Sequence, residues 1–543
     1  MLTAPAWLHA TTSWPGNVGD PYKFMDWLAW IPHAVAHFQN PFFSSAVDAP
    51  RGVNLAWETT VPLGAILVWP VTATLGPIAA YNVWLLVALT LDGWCTYVWL
   101  RRHARGAAAF LGGLTFALGP YLVTHSYNHL NLVSAFPIPL LFLVIDRFVA
   151  GSLTWWRAGM AAGVLAAAQL YLAEELLALA AIGLVAALLV ALPSHPPTLV
   201  RVARASALAI VTCAVLAGPM LAFQFFGPLA VHGAIQPSDV YVTDLQNLFV
   251  PTRLTLLHPG TVSTELASAW TGNLGEQTGY VSIPLLLLTA YALWRWWREP
   301  LVRVVGGASL LLLVLSLGPH VHVGGSTSIP LPGLILMRLP VVDHMLPARL
   351  SLIAAMGLAL LLALTLDRTV LASPRRAVTG SVLGVLSVIA LIPTAPIPTS
   401  TTDVPAYFTA DDGARALPRG TVALVLPYID DGGATAVPML WQAESDFHYS
   451  MVDGLAITVA PNGHSAFLVD SPLRSALHDI QVTGKPPPET DDLKRTLDAV
   501  LNGDHVSLII VGPMPNRGAA ESFVSWLTGS PPQHSSGVSI WRW

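Results

Sequence analysis

The chain has 543 residues, of which 54% are hydrophobic and only 10% are charged, and its mean hydropathy is +0.60. This composition excludes an ordinary soluble enzyme and predicts an α-helical polytopic membrane protein. The formal net charge of −5 argues against a nucleic-acid partner. The two cysteines, Cys95 and Cys213, both lie in apolar runs, which favours buried thiols over a disulfide.

The first distinctive segment, residues 19–60, is polar and aromatic, unlike the apolar sequence that follows it. Apolar side chains recur at helical spacing over residues 24–38, which predicts a helix that lies on the membrane rather than crossing it. Trp27, Trp30 and Phe38 are the side chains expected to rest at the membrane–water interface.

The start of the chain lacks the membrane helix that such an outer loop would normally follow. Residues 1–18 have neither a basic leader nor a long apolar core, so they do not resemble a signal peptide. Either the following helices carry the N-terminus outside, or the true start codon lies upstream of Met1, and we expect the second.

Residues 61–76 are apolar but barely long enough to cross a ~30 Å hydrocarbon core, which predicts a re-entrant or interfacial segment. The extracytoplasmic first region is therefore predicted over residues 1–77.

Ten apolar segments are each predicted to form a membrane-spanning helix. They lie near residues 78–100, 107–123, 131–149, 155–172, 176–192, 205–224, 279–297, 302–318, 346–366 and 377–396. The transmembrane bundle is thus predicted over residues 78–396, with a long outer loop at residues 225–278. It has about ten spans, or about eleven if a first helix is missing.

Five loops between these segments carry arginine. Their arginines are Arg101, Arg102 and Arg105; Arg147 and Arg157; Arg201 and Arg204; Arg295, Arg298 and Arg303; and Arg368, Arg375 and Arg376. With the ten spans above, all five loops lie on one side, which the excess of basic residues in cytoplasmic loops identifies as the cytoplasm. Because arginine far outnumbers lysine and alanine is abundant, we expect a GC-rich bacterial source. The chain is therefore predicted to be a multi-pass protein of the bacterial plasma membrane.

The sequence changes character after residue 397, where prolines and threonines form a linker. The tail reads as alternating strands and helices. Strands are predicted at residues 421–429 and 505–513, and helices at residues 491–502 and 518–528. A C-terminal extracytoplasmic α/β domain is therefore predicted over residues 397–543. It has no phosphate-binding glycine loop, metal-ligand spacing or nucleophile elbow in its sequence.

Carboxylates of the first outer loop are the candidate catalytic residues. Such a group can take a proton from an acceptor hydroxyl, or help to hold a divalent cation that neutralises a phosphate leaving group. Asp20 is the first candidate, because Gly19 and Pro21 fix its backbone, and Glu58 is the second. Asp20 is also the candidate metal ligand. Its structural alternative is a turn-forming aspartate that bonds nearby amides.

Other polar residues of the outer loops are candidate substrate contacts. His125 and His129 are four residues apart, a spacing that suits two metal ligands on one helical turn or a polar helix start. Glu174 and Glu175 are predicted to form a short turn at a membrane boundary, where a carboxylate is costly unless it is solvated or paired. Either one of them faces the cavity of the bundle, or both belong to a solvated turn. Arg349 begins a span on the outer side and suits either a lipid phosphate or the lipid headgroups.

Several short motifs occur along the chain. They are GDP, NPFF, NLAW and VPL within residues 19–63, SYNHLN, LAEE, GEQTGY at 275–280, LPAR at 346–349 and MLWQAES at 439–445. These motifs resemble those of the GT-C superfamily of polyprenyl-phosphate-sugar-dependent membrane glycosyltransferases and, more narrowly, those of an actinobacterial group of glycosyltransferase-like membrane proteins. In GT-C enzymes the functional acid lies in the first outer loop, a position that Asp20 matches, whereas the paired acids of some members are absent here.

The resemblance implies an enzyme that moves a sugar from a polyprenyl-phosphate donor to a cell-envelope glycan, lipid or protein acceptor on the outer face. Its partners would be the lipid-linked sugar, membrane lipids and the envelope acceptor, and its cofactor would be a divalent cation, Mg or Mn. The alternative is a non-catalytic binding, transport or scaffold protein for lipid-linked glycans. The sequence has no paired internal repeat of the kind that transporters often show, which favours chemistry at one membrane face.

Overall fold

The computed structural model describes residues 2–191, 199–233, 235–339, 342–372, 374–430, 433–460 and 463–543. The chain divides into two compact units. The first unit comprises Met1–Leu2, Leu85–Pro219 and Ala234–Ile397, and the second comprises Thr3–Trp84, Met220–Gly233 and Pro398–Trp543. The domain boundaries expected from the sequence stay a prediction.

The first unit is a helical bundle, and each of the ten segments predicted to span the membrane contains a helix or part of one. A hairpin of strands His320–Val323 and Ser326–Pro330 lies in a connection between two of its helices. Its helices are the later part of Trp69–Leu100, then Gly106–Ala117, Pro120–His125, Pro137–Val149, Trp155–Leu170, Glu174–Ala191, most of Leu199–Phe226, Gly260–Ala269, Ile283–Trp296, Pro300–Ser316, Gly333–Leu336, Ser351–Ala372 and Pro374–Ala390.

Among the described residues, five helices are long and apolar enough to cross a membrane. They are Trp69–Leu100, Gly106–His125, Glu174–Ala191, Val200–Phe226 and Pro347–Thr369, and three shorter apolar helices accompany them, Ile283–Trp296, Pro300–Ser316 and Val378–Ala390. The predicted class, a helical membrane bundle, is therefore confirmed. The count of ten or eleven crossings stays a prediction, because the other helices are too short to meet this criterion by themselves.

The five arginine-bearing loops are joined to one another by ion pairs and hydrogen bonds. These contacts place the loops at one end of the bundle, as the assignment of all five to one membrane side requires. Which side of the membrane this end faces stays a prediction. The contacts are His103–Asp146 at 2.6 Å, Arg201 to the Phe148 and Leu153 carbonyls at 3.0 Å, Arg105–Asp367 at 2.7 Å and Arg368–Glu299 at 2.6 Å.

The second unit combines the first segment of the chain with the tail. Its helices are Asp20–Ala36, Pro62–Leu67, the start of Trp69–Leu100, Ala406–Thr409, Val437–Glu444, Pro472–Thr483, Asp491–Gly503 and Arg517–Thr528. Outside the main sheet its strands are Ser13–Pro15, which pairs with Thr399–Thr401, Phe43–Ser44, which pairs with Val53–Asn54, and Thr458–Val459, which pairs with Ser465–Ala466.

The tail contains the α/β domain that the sequence predicts. Its sheet has five strands, in the order Gln533–Ser535, Val538–Arg542, Leu508–Val511, Val422–Leu426 and Ser450–Met451. The last three are parallel and the first two antiparallel to their neighbours. The four residues of Leu508–Val511 are all buried, as expected for a strand covered on both faces. Helices Asp491–Gly503 and Arg517–Thr528 contribute to the same core, which contains Leu497, Ile509, Phe523 and Trp541.

The helix predicted near residues 24–38 is present as Asp20–Ala36. The prediction that its aromatic side chains rest at a membrane interface is wrong for Trp27 and Trp30, which are 0% and 3% exposed, whereas Phe38 is 99% exposed. Residues on nearly all sides of this helix are buried, so it is covered by protein. The helices packed against it in this unit include Pro62–Leu67 and Val437–Glu444.

Gly76 interrupts the long helix Trp69–Leu100. Its φ of 86° lies in the left-handed region, where glycine is favoured because it has no Cβ. The kink at Gly76 therefore separates residues 61–76 from the span predicted to begin at residue 78. The re-entrant or interfacial placement of this segment stays a prediction.

Candidate functional site

Asp20 is the first residue of the helix Asp20–Ala36, in the second unit. Gly19 precedes it with a φ of 108°, which favours glycine, and Pro21 occupies the first turn, where a missing N–H leaves no helical hydrogen bond unmade. The positive end of the helix dipole stabilises a carboxylate at this position. The Asp20 side chain is 28% exposed, so solvent or a substrate can reach it.

Lys23, one turn further along this helix, was not among the residues that the sequence singled out. Its ammonium lies 3.4 Å from the Asp20 carboxylate, although its side chain is only 7% exposed. The same ammonium lies 5.8 Å from the ring centres of Phe24 and Phe467. A lysine buried to this extent needs a negative partner. Only its spacing of three residues from Asp20 could have indicated the pair from sequence.

Glu58, the second candidate acid, is buried in the same unit. It is 8% exposed, and its carboxylate accepts a hydrogen bond from the backbone N–H of Ile457. Burial raises the pKa of Glu58, while the charge of Lys23 and the Ile457 N–H oppose that rise. Glu58 is thus poorly placed to meet a substrate, and it joins the first segment of the chain to the tail.

Asp26 lies on the same helix as Asp20 in a very different environment. It is 0% exposed, and neither of its carboxyl oxygens has a hydrogen-bond partner. Burial raises the pKa of Asp26 well above its usual range. This residue therefore favours its neutral form, whereas Asp20 is partly exposed and paired with Lys23.

A second group of candidate residues meets in the first unit, around Arg349. The Arg349 guanidinium donates to both oxygens of Glu276, with a distance of 3.1 Å from Nε to Oε2, and to Glu175. The other Glu175 oxygen accepts the backbone N–H of Leu346 at 3.3 Å. The side chains of Arg349 and Glu276 are 13% and 4% exposed. The arginine is therefore held by two carboxylates near the ends of helices of the first unit.

Glu174 and Glu175 form the first turn of the helix Glu174–Ala191 rather than a separate turn. The structure pairs Glu175 with Arg349. In the sequence, Glu276 is distinguished only as part of the motif GEQTGY. Because it lies 73 residues from Arg349, no local spacing could have predicted their pairing.

His125 and His129 lie beside this ion-pair network, as the i, i+4 spacing suggested. The backbone N–H of His129 bonds the His125 carbonyl at 2.8 Å, which continues the helical turn beyond Pro120–His125. Their Nδ1 atoms are 2.9 Å apart. His125 Nε2 lies 4.0 Å from Glu276 Oε2, and the Tyr121 ring packs edge-on against the His125 ring, with centres 4.4 Å apart.

One potential metal-ligand atom from each of His125, His129 and Glu276 lies within 4.8 Å of the others. The structure thus brings together four sequence-predicted residues of the first unit, His125, His129, Glu175 and Arg349. Asp20 and Glu58 belong to the second unit, where each contributes to the surroundings of Lys23. The expectation of Mg or Mn at Asp20 stays a prediction.

Comparison with known proteins shows which family the chain belongs to. A family model described as a domain of unknown function, DUF6311, matches residues 2–342. The chain belongs to the DUF6311 family. No curated protein matches it.

Among solved structures, the chain is similar to the arabinofuranosyltransferase AftD from Mycobacteria, with a TM-score of 0.54 and 16% identity. The alignment covers 97% of this chain and 38% of AftD, so the chain spans less than half the length of that protein. The archaeal oligosaccharyltransferase AglB from Archaeoglobus fulgidus aligns with a TM-score of 0.48 and 12% identity, covering 95% of this chain and 68% of that one. The likeness to AftD shows that the two proteins share a fold.

Proposed function

We propose that this DUF6311 protein is a membrane glycosyltransferase that moves a sugar from a polyprenyl-phosphate donor to a cell-envelope glycan, lipid or protein. The reaction takes place on the outer face of a bacterial plasma membrane, where the C-terminal α/β domain also lies. The narrower kinship with an actinobacterial glycosyltransferase-like group forms part of the proposal. The fold shared with AftD supports a transferase, and the environment of Asp20 supports the assignment of the base.

The observation that carries the proposal is the contrast between Asp20 and two other acids of the first segment, Asp26 and Glu58. The remaining acid, Asp48, is 29% exposed, but its carboxylate accepts hydrogen bonds from Arg51 and Thr458. Asp20 is 28% exposed and its carboxylate is oriented by the Lys23 ammonium at 3.4 Å. Asp26 and Glu58 are 0% and 8% exposed. A general base has to come within about 2.6–3.2 Å of the proton-bearing oxygen, and Asp20 is open to such an approach.

The proposed step is a displacement at the anomeric carbon of the donor sugar. The acceptor hydroxyl oxygen forms the new bond to that carbon as its proton passes to the Asp20 carboxylate. The bond between the anomeric carbon and the phosphate oxygen breaks, and polyprenyl phosphate leaves with the bonding electron pair. Asp20 then returns its proton to solvent or to the leaving phosphate.

Arg349 is the proposed contact for the lipid phosphate. Three of the five guanidinium N–H groups are used in bonds to Glu175 and Glu276. The remaining donors can meet phosphate oxygens, and the two carboxylates hold the guanidinium plane in a fixed orientation. Glu174 and Glu175 are the proposed contacts for the sugar hydroxyls.

The test is transfer by the purified full-length protein, with synthetic short-chain polyprenyl-phosphoryl arabinose and the corresponding hexose as donors, and with envelope-glycan fragments as acceptors. Asp20→Asn keeps the size of the side chain but removes the base. We expect its turnover to fall at least ~10²-fold, because general bases typically contribute ~10²–10⁴-fold.

Asp26→Asn is the matched control, since it makes the same chemical change on the same helix at a residue that no substrate reaches. We expect it to keep the wild-type turnover. Equal turnover of wild type and Asp20→Asn would remove Asp20 as the base. If wild type transferred no sugar from any of these donors while still binding them, the non-catalytic binding, transport or scaffold function would replace the proposal.

A further inference from the structure

We infer that His125, His129 and Glu276 form a binding site for one transition-metal ion, with Zn²⁺ as the best-suited metal. The site lies in the first unit beside Arg349. This inference concerns metal binding by three named side chains. It does not rest on the proposed transferase function, and its test measures metal rather than turnover.

The kinds of donor atom select the metal. Two imidazoles and one carboxylate are a ligand set found at zinc sites with three protein ligands. Mg²⁺ and Ca²⁺ prefer ligand sets built from oxygen atoms, whereas imidazole suits Zn²⁺, Cu²⁺, Fe²⁺ and Ni²⁺. The two histidines therefore favour Zn²⁺, Cu²⁺, Fe²⁺ or Ni²⁺ over the Mg or Mn that the sequence suggested at Asp20.

The geometry is close to that of a metal site. His125 Nε2 lies 4.0 Å from Glu276 Oε2, and one ligand atom of each of the three residues lies within 4.8 Å of the others. Two ligand atoms bound to one tetrahedral zinc at ~2.0–2.1 Å would be about 3.4 Å apart. The His125–Glu276 pair therefore has to close by only about half an ångström, and His129, at the half-exposed end of the turn, can bring its ligand nitrogen to the ion by rotating its side chain.

An unsatisfied nitrogen supplies an independent reason for a ligand at this place. His125 is 0% exposed, and its Nε2 has no hydrogen-bond partner. The nearest carboxylate oxygen, Glu276 Oε2, is 4.0 Å away. That separation is too long for a direct hydrogen bond. Buried polar atoms normally have hydrogen-bond partners. A metal ion bound to His125 Nε2 would supply the partner that this atom lacks.

The net charge of the neighbouring side chains favours the binding of a divalent cation. Arg349 is flanked by two carboxylates, those of Glu175 and Glu276, so this network carries one excess negative charge in its ionised form. Glu276 can keep its bonds to Arg349 and offer a remaining lone pair to the metal. The arginine then orients the ligating carboxylate, as outer-shell partners of metal sites commonly do. Three protein ligands leave a fourth position for water or an anionic oxygen.

The test is zinc binding by the full-length protein in detergent. The protein is stripped with a chelator, dialysed against ZnCl₂, washed, and analysed for metal by mass spectrometry and for affinity by titration calorimetry. We expect about one zinc ion per chain, as three protein ligands at one site imply. His129→Gln should weaken zinc binding at least ~10²-fold, because even outer-shell changes cost 10–100-fold.

Asp239, His320 and His322 provide a matched control of the same residue types in the same unit. There the carboxylate already bonds each imidazole, at 3.0 and 3.2 Å, so His320→Gln should leave the zinc content and affinity unchanged. Glu276→Gln is the second test variant, and melting curves with and without ZnCl₂ report on its folding. Wild-type protein without zinc, zinc retained by both His129→Gln and Glu276→Gln, or zinc lost with His320→Gln would each overturn the inference.

Discussion

Asp20 and Asp26 lie on one helix, and their different burial gives the two carboxyl groups different chemistry. Asp20 has Lys23 at 3.4 Å and remains 28% exposed, so it is suited to meet a substrate. Asp26 has no hydrogen-bond partner for either oxygen and is fully buried. Its contribution is to the pH dependence of folding rather than to chemistry.

Asp26→Asn should flatten the dependence of stability on pH. The raised pKa means that, above about pH 3.8, the folded state retains a proton that the unfolded state has lost. The free energy of unfolding therefore falls as pH rises from that value through the folded pKa, by up to ~1.4 kcal/mol per pH unit. Thermal melting of the purified protein between pH 4 and pH 8 measures this slope. Asp411→Asn, at a fully exposed carboxylate, is the control with an unchanged slope, and an equal slope in wild type and Asp26→Asn would contradict the account.

For individual residues, the sequence predicted candidate site residues more readily than the residues that contact them. It selected Asp20 because Gly19 and Pro21 constrain the backbone locally, and the structure shows that constraint. It treated Trp27 and Trp30 as lipid contacts, because aromatic residues look alike in sequence whether they face lipid or a protein core. Burial depends on elements far along the chain, which local spacing does not reveal.

The network around Arg349 ties together elements that are distant in sequence. Glu175 begins one helix, Glu276 ends a single 3₁₀ turn, and Arg349 lies in the turn that leads into Ser351–Ala372. The sequence placed Glu175 and Arg349 at the outer face but did not pair them. Their pairing needs the folded bundle, since 174 residues separate them.

Arg349→Met should destabilise the protein by ~3–5 kcal/mol, because it leaves two largely buried carboxylates without their cation. Melting in detergent measures the loss. Arg338→Met, at an exposed arginine of a neighbouring outer connection, should change stability by less than ~0.5 kcal/mol. Combining Arg349→Met with Glu175→Gln and Glu276→Gln should restore part of the loss. A triple variant no more stable than Arg349→Met would show that the unpaired charges were not its cause.

For the whole molecule, the hydropathy pattern predicted more of the structure than the polar residues did. All ten apolar segments form helices, and the tail forms its predicted strands and helices, because apolar periodicity is a local property. The gathering of the arginine loops at one end follows from contacts such as Arg105–Asp367 and Arg368–Glu299. Which side of the membrane this end faces stays a prediction.

Cysteine labelling tests the topology in intact cells. Arg102→Cys and Glu265→Cys each place a thiol at an exposed position of the first unit, one in an arginine loop and one in the long outer loop. In a background with Cys95 and Cys213 replaced by serine, an impermeant maleimide should label Glu265→Cys but not Arg102→Cys until the membrane is opened. Labelling of Arg102→Cys alone, or of both from outside, would reverse or break the assignment.

The most direct measurement of the central claim is an electron cryo-microscopy structure of the full-length protein with a non-transferable polyprenyl-phosphonate sugar. The account predicts the sugar beside Asp20, with space between its anomeric carbon and the Asp20 carboxylate for an acceptor hydroxyl within about 3.2 Å of that carboxylate. Clear density for the lipid-linked sugar at any site away from Asp20 would contradict it.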